Sequence, residues 1–279
     1  MLLVCLIWGV NFSVMKLAIG HIPPLPFTAI RFVLASVLLV AVLRASEGRG
    51  ALPPGSLGKL VWLGVIGNSG YQLVFMLGLF RTSATNSALI LSTVPTVVAV
   101  FAAALGLERV TSRMIWGIAL GTIGVLLVIA TRGVGFTTGT LVGDLLTVVG
   151  VLCWAWYTIE LRTLPAGLTP LRVTTVTTLT GTPLLLLAGL PGLTRLDWVA
   201  VPASAWGALG YATVFSLVLA YLLWNRSVKA VGGTRTAIYM CVTPLVAAAA
   251  AWIMLGERAH PLQGVGAALI VSGVLLTRR

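Results

Sequence analysis

Apolar residues run in ten long stretches along the chain, and polar or chain-breaking residues fall between them. The stretches cover residues 2–20, 26–45, 58–80, 84–107, 112–131, 141–163, 169–190, 202–228, 233–255 and 260–277. An α-helix needs about 20 apolar residues to cross the hydrocarbon of a bilayer, and each stretch is near that length. The separators are short and rich in Pro and Gly: Pro23-Pro24, Pro53-Pro54-Gly55, Pro165, Pro191-Gly192, Gly232-Gly233 and Pro261. Such residues end helices and turn the chain. The pattern predicts an all-α integral membrane protein with ten transmembrane helices and no room for a soluble domain. The first stretch has neither a polar leader nor a cleavage site, so it reads as a structural helix and not a removed signal.

One pattern occurs twice. Residues Thr85–Leu127 align without gaps on Thr234–Leu276, displaced by 149 positions, with 15 identities in 43. The identities include Thr85/Thr234, Ala88/Ala237, Pro95/Pro244, Glu108/Glu257, Arg109/Arg258 and Gly124-Val125-Leu126-Leu127 against Gly273-Val274-Leu275-Leu276. Each copy reads as an apolar helix with a proline near its middle, a Glu-Arg turn, and a second helix rich in small residues. A repeat of this length means two copies of one unit, here residues 1–135 and 136–279. Each copy holds five spans. An odd number inserts the second copy upside down, which gives two inverted five-helix repeats, an arrangement common among secondary transporters.

Composition changes the solvent more than the pattern. The chain is 58% hydrophobic and 9% charged, with mean hydropathy +1.06, against about 25% charged residues in a soluble domain. A net charge of +12 would suggest nucleic acid in a soluble protein, but these basic residues sit mostly at span ends. No nucleic-acid partner is expected; membrane lipid is. Twelve of the 18 Lys and Arg residues fall on the side that holds both termini, among them Arg44, Arg49, Lys59, Arg109, Arg162, Arg172 and Lys229. Six fall on the other: Lys16, Arg31, Arg81, Arg132, Arg195 and Arg258. The bias places both termini in the cytoplasm. Cys5, Cys153 and Cys241 lie within apolar runs without metal-ligand spacing and read as inert core thiols.

Particular residues carry a family resemblance. Ala88-Leu89-Ile90-Leu91 before Pro95, and Leu107-Glu108-Arg109-Val110-Thr111 after it, resemble the EamA domain of the drug/metabolite transporter superfamily. So do Trp8 with Asn11, Arg31-Phe32, Gly143-Asp144-Leu145-Leu146, Pro244, Gly256-Glu257-Arg258 and Gly273. The resemblance spans nearly the whole chain and rests on order and spacing. It implies ten spans in a bacterial inner membrane with both termini inside, and export of amino acids, other metabolites or drugs. Within the family the chain is most similar to bacterial aromatic-amino-acid exporters. The resemblance also implies that the fifth and tenth helices pack outside the cavity, a role that suits Gly117, Gly121 and Gly124 and the Gly264/Gly266/Gly273 face. The halves have diverged: Asn86 stands against Arg235, and the Trp8 segment matches the Trp154 segment over only a few residues.

Inverted-repeat transporters hold substrate near the bilayer midplane. At that depth lie Trp8 and Asn11 in the first span, and Asn68, Ser69, Tyr71 and Gln72 in the third. Trp154, Trp156 and Tyr157 are in the sixth, Tyr211, Thr213 and Ser216 in the eighth, and Ser92, Thr93, Tyr239 and Thr243 beside the two prolines. An aromatic wall with a few placed polar groups suits a small molecule. Helix-to-helix hydrogen bonding is the other role open to the hydroxyls and amides. A midplane tryptophan has no interfacial reason to be there, whereas Trp62, Trp116, Trp198 and Trp224 lie near span ends, where one exists. The substrate-binding candidates are Trp8, Asn11, Arg31, Tyr71, Gln72, Ser92, Trp154, Tyr157, Tyr211 and Tyr239.

Pro95 and Pro244 deprive the carbonyls of Leu91 and Met240 of their helical donors. Those carbonyls either accept from substrate or water, or the prolines simply let the helices bend; Pro95 and Pro244 are the hinge candidates. Lys16 and Arg31 sit in the outer half of the bilayer, about 7 Å from its centre. Lys16 reads as a snorkelling anchor and Arg31, which the resemblance places in the family pattern, as a carboxylate-binding or gating cation. Asp144 begins the sixth helix, where a carboxylate suits the positive end of the dipole. Glu108 and Glu257 read as structural, bonded to backbone or to Arg109 and Arg258 across their turns.

None of the six carboxylates lies near a span centre, which points away from strong ion coupling and toward facilitated export. No catalytic dyad, metal cluster or phosphate loop is legible, so neither an enzyme nor a cofactor is expected. The expected partner is a small-molecule substrate, an amino acid or related metabolite, bound by a monomer or weak homodimer. A broad drug exporter of the same fold is the alternative.

Overall fold

The computed structural model describes residues 1–48, 50–82, 87, 90–130, 140–255 and 261–278, leaving aside the side chains of 12, 16, 17, 128–130, 248, 251–255, 261, 263, 277 and 278. Thr85, Asn86, Ala88, Leu89, Arg49, Arg132, Gly256, Glu257, Arg258, His260 and the Lys16 side chain lie outside the described residues. Within them every regular element is helical.

In chain order the helices are α1 Leu2–Ile19, α2 Pro24–Ser46, α3 Ser56–Arg81, α4 Val94–Ala104, α5 Ser112–Ala130, α6 Leu141–Thr163, α7 Pro170–Leu193, α8 Ala203–Val231, α9 and α10 Pro261–Arg278. The ninth is built from three consecutive pieces, Gly233–Ala237, the 3-10 stretch Ile238–Val242 and Thr243–Leu255. Five of these, α2, α3, α6, α7 and α8, are long and apolar enough to cross a membrane, and shorter apolar segments lie in α1, α4, α5 and α10. Large apolar side chains line the outside, as at Phe80 (75% exposed) and Trp116 (66% exposed). A bundle that presents such groups outward suits lipid and not water.

The two prolines do not sit in the middle of continuous helices. Pro95 stands in the first turn of α4, after a turn at Ser92 and Thr93 in which Thr93 N–H donates to the Ile90 carbonyl at 3.0 Å. Pro244 likewise opens Thr243–Leu255. A first-turn proline sacrifices only an N–H that has no intrahelical partner anyway, so the chain restarts its helix there instead of kinking one. The carbonyl of Met240, expected to lack a donor, accepts from Thr243 N–H.

Two π-helical segments interrupt α3 at Gly64–Gly70 and α8 at Ala212–Leu219. Moving the first by 149 positions lands it on 213–219. The main packing partners include α5 with α10, α2 with α7, α3 with α6 and α7, α1 and α2 with α8, α4 with α6, and α1 with α9. Small residues set the closest approaches. A Cβ on Gly124 would come within 2.6 Å of the Gly266 carbonyl oxygen, and one on Gly273 within 2.5 Å of that of Gly117, whereas Gly264 faces open space. Glycine lets α5 and α10 meet backbone to backbone.

Among the described residues, three ion pairs tie the bundle end to which α2, α4, α6 and α8 run. Arg172 meets Glu47 at 2.9 Å, Lys59 meets Glu160 at 3.3 Å and Arg162 meets Glu108 at 3.7 Å. Glu108 does bond backbone, but not in its own turn: its carboxylate accepts from the N–H groups of Gly233 and Thr234 at the start of α9. An N-terminal turn offers unpaired N–H groups to a carboxylate from anywhere in the fold. Asp144 accepts from Thr82 Oγ1 at 2.6 Å.

Candidate functional site

Trp154 on α6 is 2% exposed and is the hub of an aromatic cluster built from four helices. Its ring centroid lies 5.8 Å from Trp8 on α1, 5.1 Å from Tyr71 on α3, and 5.3 and 5.4 Å from Tyr221 and Trp224 on α8. Tyr157, one turn along α6, stacks on it at 5.4 Å. Tilted and edge-on contacts at this spacing suit the ring quadrupoles. The cluster fits because α3 brings a glycine to it: a Cβ on Gly67 would come within 2.2 Å of the Tyr157 ring.

Hydrogen bonds fix the rim of the cluster. Trp8 Nε1 donates to the Ser216 carbonyl at 3.0 Å, inside the π-helical segment of α8. Tyr157 Oη donates to Asn225 Oδ1 at 3.1 Å, and Asn225 Nδ2 donates to Thr174 Oγ1 at 2.8 Å, joining α6, α8 and α7. Tyr211 Oη donates to the Ile7 carbonyl at 3.1 Å. In contrast, Trp154 Nε1, Trp224 Nε1 and both side-chain atoms of Asn68 are buried without a hydrogen-bond partner.

Arg31 on α2 is 4% exposed. Its Nη2 donates to Gln72 Oε1 at 3.1 Å, and Gln72 Nε2 donates to the Tyr221 hydroxyl at 3.2 Å. Phe27 and Phe32 flank the guanidinium at 5.8 Å each, a cation–π arrangement. Arg31 Nε is buried and has no partner. Through Gln72 and Tyr221 the cation is continuous with the rings around Trp154.

Of the residues predicted for the site, the structure gathers Trp8, Arg31, Tyr71, Gln72, Trp154 and Tyr157. Asn11, one turn beyond Trp8, donates to Met15 Sδ at 3.1 Å and leaves Oδ1 unpartnered. Tyr211, on α8, reaches α1 through the Ile7 carbonyl and packs on Phe215 at 5.3 Å. Ser92 is buried at the break before α4. Tyr239 is elsewhere: its half-buried ring packs with Ala99, Ile118, Ile238 and Val274. Trp156 turns to Phe101 at 5.9 Å, away from Trp154.

Two cluster members were not predicted. Trp224 looked interfacial because Arg226 and Lys229 follow it, but it is 0% exposed, sealed by Trp8 and Trp154. Tyr221 carried a usable signal: it is 149 positions from Gln72, the displacement of the repeat. Tyr221, Trp224 and Asn225 also share one helical face by their i, i+3, i+4 spacing.

Comparison with known proteins places this geometry in a family. The chain is 33% identical over 272 residues to the uncharacterized transporter YyaM of Bacillus subtilis, covering 96% of this chain and 88% of that protein. It is 27% identical over 288 residues to a protein of Salmonella typhimurium named "Probable amino-acid metabolite efflux pump", covering 99% and 92%. It is 25% identical over 279 residues to the uncharacterized inner membrane transporter YedA of Escherichia coli, covering 97% and 87%. A crystal structure of a protein at 19% identity superposes with a TM-score of 0.82 over 99% of this chain and 94% of that one, a likeness of fold alone. The model of the EamA-like transporter family matches residues 1–130 and again 141–279. The chain is therefore a multi-pass membrane protein of the EamA-like transporter family.

Proposed function

We propose that the protein exports amino acids, aromatic or hydrophobic ones, or closely related small metabolites, by alternating access through a central cavity. One observation carries this reading: a buried cation, Arg31, joined through Gln72 and Tyr221 to the ring cluster of Trp154. A guanidinium beside an apolar, aromatic wall suits a carboxylate with an apolar body. The name of the Salmonella relative points the same way. The site has ring faces and hydrogen-bond donors but no arrangement that makes or breaks bonds, so the reading is a carrier and not an enzyme.

The carrier consists of two five-helix halves, 1–135 and 136–279, inserted in opposite orientations, ten spans in all. Three features support this. The most extensive packing pairs map onto one another when α1–α5 exchange with α6–α10: α3–α6 becomes α8–α1, α4–α6 becomes α9–α1, while α2–α7 and α5–α10 map onto themselves. The π-helical segments recur at the repeat displacement, and Gln72 bonds its own repeat mate, Tyr221. Both termini lie in the cytoplasm of a bacterial cell, no cofactor is needed, transport is facilitated, and the working unit is a monomer or weak homodimer. Pro95 and Pro244, at the helix breaks, serve as hinges.

A broad drug exporter of the same fold is the second reading. Hydrophobic cations call for an interior acid, and each described carboxylate is engaged at an end of the bundle. Counterflow into proteoliposomes with labelled aromatic amino acids and cationic dyes separates the two. Amino acids exchange and dyes do not if the first reading holds; dye exchange alone sinks it.

A further inference from the structure

We infer that the interior selects organic monoanions, apolar-bodied monocarboxylates that need carry no amino group, and that Gln72 and Tyr221 impose this selection by holding Arg31. The inference rests on the proposed function only in placing the Arg31 chain on the substrate path.

The charge balance comes first. Arg31 is buried, and among the described residues no carboxylate reaches it. Glu47 pairs with Arg172, Glu160 with Lys59, and Glu108 with Arg162 and the start of α9. Asp144 accepts from Thr82, and Asp197 from the Val199 N–H. Phe27 and Phe32 attract the guanidinium but do not neutralise it. A cation buried within the membrane without a counter-ion carries a free-energy cost. A bound monoanion removes that cost. A zwitterion neutralises Arg31 but adds an ammonium that meets no acid, and a cation doubles the charge.

Hydrogen-bond polarity points the same way. Arginine can only donate, so the Gln72 atom that faces it is the amide oxygen, and the amide nitrogen must be the atom that donates to the Tyr221 hydroxyl oxygen. The Tyr221 hydroxyl hydrogen is then left over. No acceptor for it or for Arg31 Nε–H occurs among the described residues. A carboxylate has two oxygens and can accept from both donors. The buried, unpartnered carbonyls of Asn11 and Asn68 can accept from an amino group, so an amine is tolerated. Being neutral, they cannot make it a requirement. The rings of Trp8, Tyr71 and Trp154 beside Tyr221 supply the apolar surface.

Three ligands that share one phenyl group test this on the purified full chain: 3-phenylpropanoate, phenylalanine and phenylalaninamide. Binding is read by intrinsic Trp fluorescence and exchange by counterflow. The expected order puts 3-phenylpropanoate level with phenylalanine or tighter. Phenylalaninamide binds at least about 30-fold more weakly, the usual effect of leaving a buried charge unpaired. Gln72→Glu is isosteric and sets a carboxylate beside Arg31; it should lower 3-phenylpropanoate affinity by about 30-fold and leave phenylalaninamide no weaker. Tyr221→Phe keeps the ring and should lower the acid-to-amide ratio severalfold, whereas a purely structural role moves all three ligands together. Phenylalaninamide matching 3-phenylpropanoate, phenylalanine binding far tighter than 3-phenylpropanoate, or a ratio unchanged in Gln72→Glu overturns the inference. If amide and acid exchange equally well, the carrier reading stands and only the selection falls. If the folded protein binds none of the three, both fall.

Discussion

Trp154 touches five other rings and has an indole N–H without a partner. Such a side chain serves packing and recognition together, and truncation separates them. Trp154→Ala should lower stability by about 3 kcal/mol or more and abolish exchange. Trp154→Phe should restore most of the stability and only part of the transport. Thermal unfolding in detergent and counterflow measure the two, and an alanine variant that transports at the parental rate would remove Trp154 from the site. Gly67→Ala tests the same wall from α3: its new Cβ meets the Tyr157 ring, and overpacking of this kind costs about 1–3 kcal/mol, read as a lower unfolding midpoint. Trp8, Tyr71 and Trp154 were legible in the sequence because an aromatic ring at midplane lacks an interfacial reason to be there. Trp224 was not, because nearby Arg226 and Lys229 imitate the end of a span. Tyr239 was assigned by depth, but depth does not set direction. The 3-10 stretch Ile238–Val242 advances three residues per turn instead of 3.6, which rotates its side chains off the face that a continuous α-helix would present.

At the scale of elements, the apolar pattern located every described helix but could not see the breaks within four of its stretches. Hydrophobicity is blind to where the hydrogen-bond ladder breaks, since π, 3-10 and α turns within the bilayer are alike built mainly from apolar residues. The prolines marked two of the breaks, at Ser92–Thr93 and Ile238–Val242; the two π-helical segments carried no proline and went unread. Alanine at Pro95 or Pro244 restores an N–H and lets the preceding turn close into α-helix. Pro95→Ala and Pro244→Ala should insert normally and transport more slowly; parental rates in both singles and the double would leave the breaks without a role in transport. Glu108 was legible as a structural acid, but its partners at Gly233 and Thr234 come from the other half and leave no local trace. Glu108→Ala orphans two N–H groups at the start of α9 and should cost about 1–3 kcal/mol, with Glu108→Gln nearer parental because an amide oxygen still accepts. Equal unfolding midpoints for parent and Glu108→Ala would show that the cap contributes nothing.

For the whole molecule, orientation in the bilayer decides whether the two halves oppose each other. The ion pairs and the Glu108 cap gather at one end of the bundle, the end to which the sequence assigns the larger share of Lys and Arg, 12 of 18. Basic residues near span ends stay on the cytoplasmic side because they are retained there during insertion, so this end should face the cytoplasm. The three spans α3, α4 and α5 then carry the chain across the membrane between the 45–57 and 132–140 loops. Single cysteines placed in these loops, on a background without Cys5, Cys153 and Cys241, should react with an impermeant maleimide from opposite sides of intact cells and inverted vesicles. The background should tolerate the loss, since Cys5 and Cys241 are buried and Cys153 is half-buried, all three without a disulfide. Opposite labelling with the 45–57 site cytoplasmic supports both the inverted repeat and the inward termini. Opposite labelling with the sides reversed keeps the repeat and turns the ion-paired end, with its Glu108 cap, outward. Labelling of both loops from one side would break the relation between the halves, and alternating access about their shared axis would then have no structural basis.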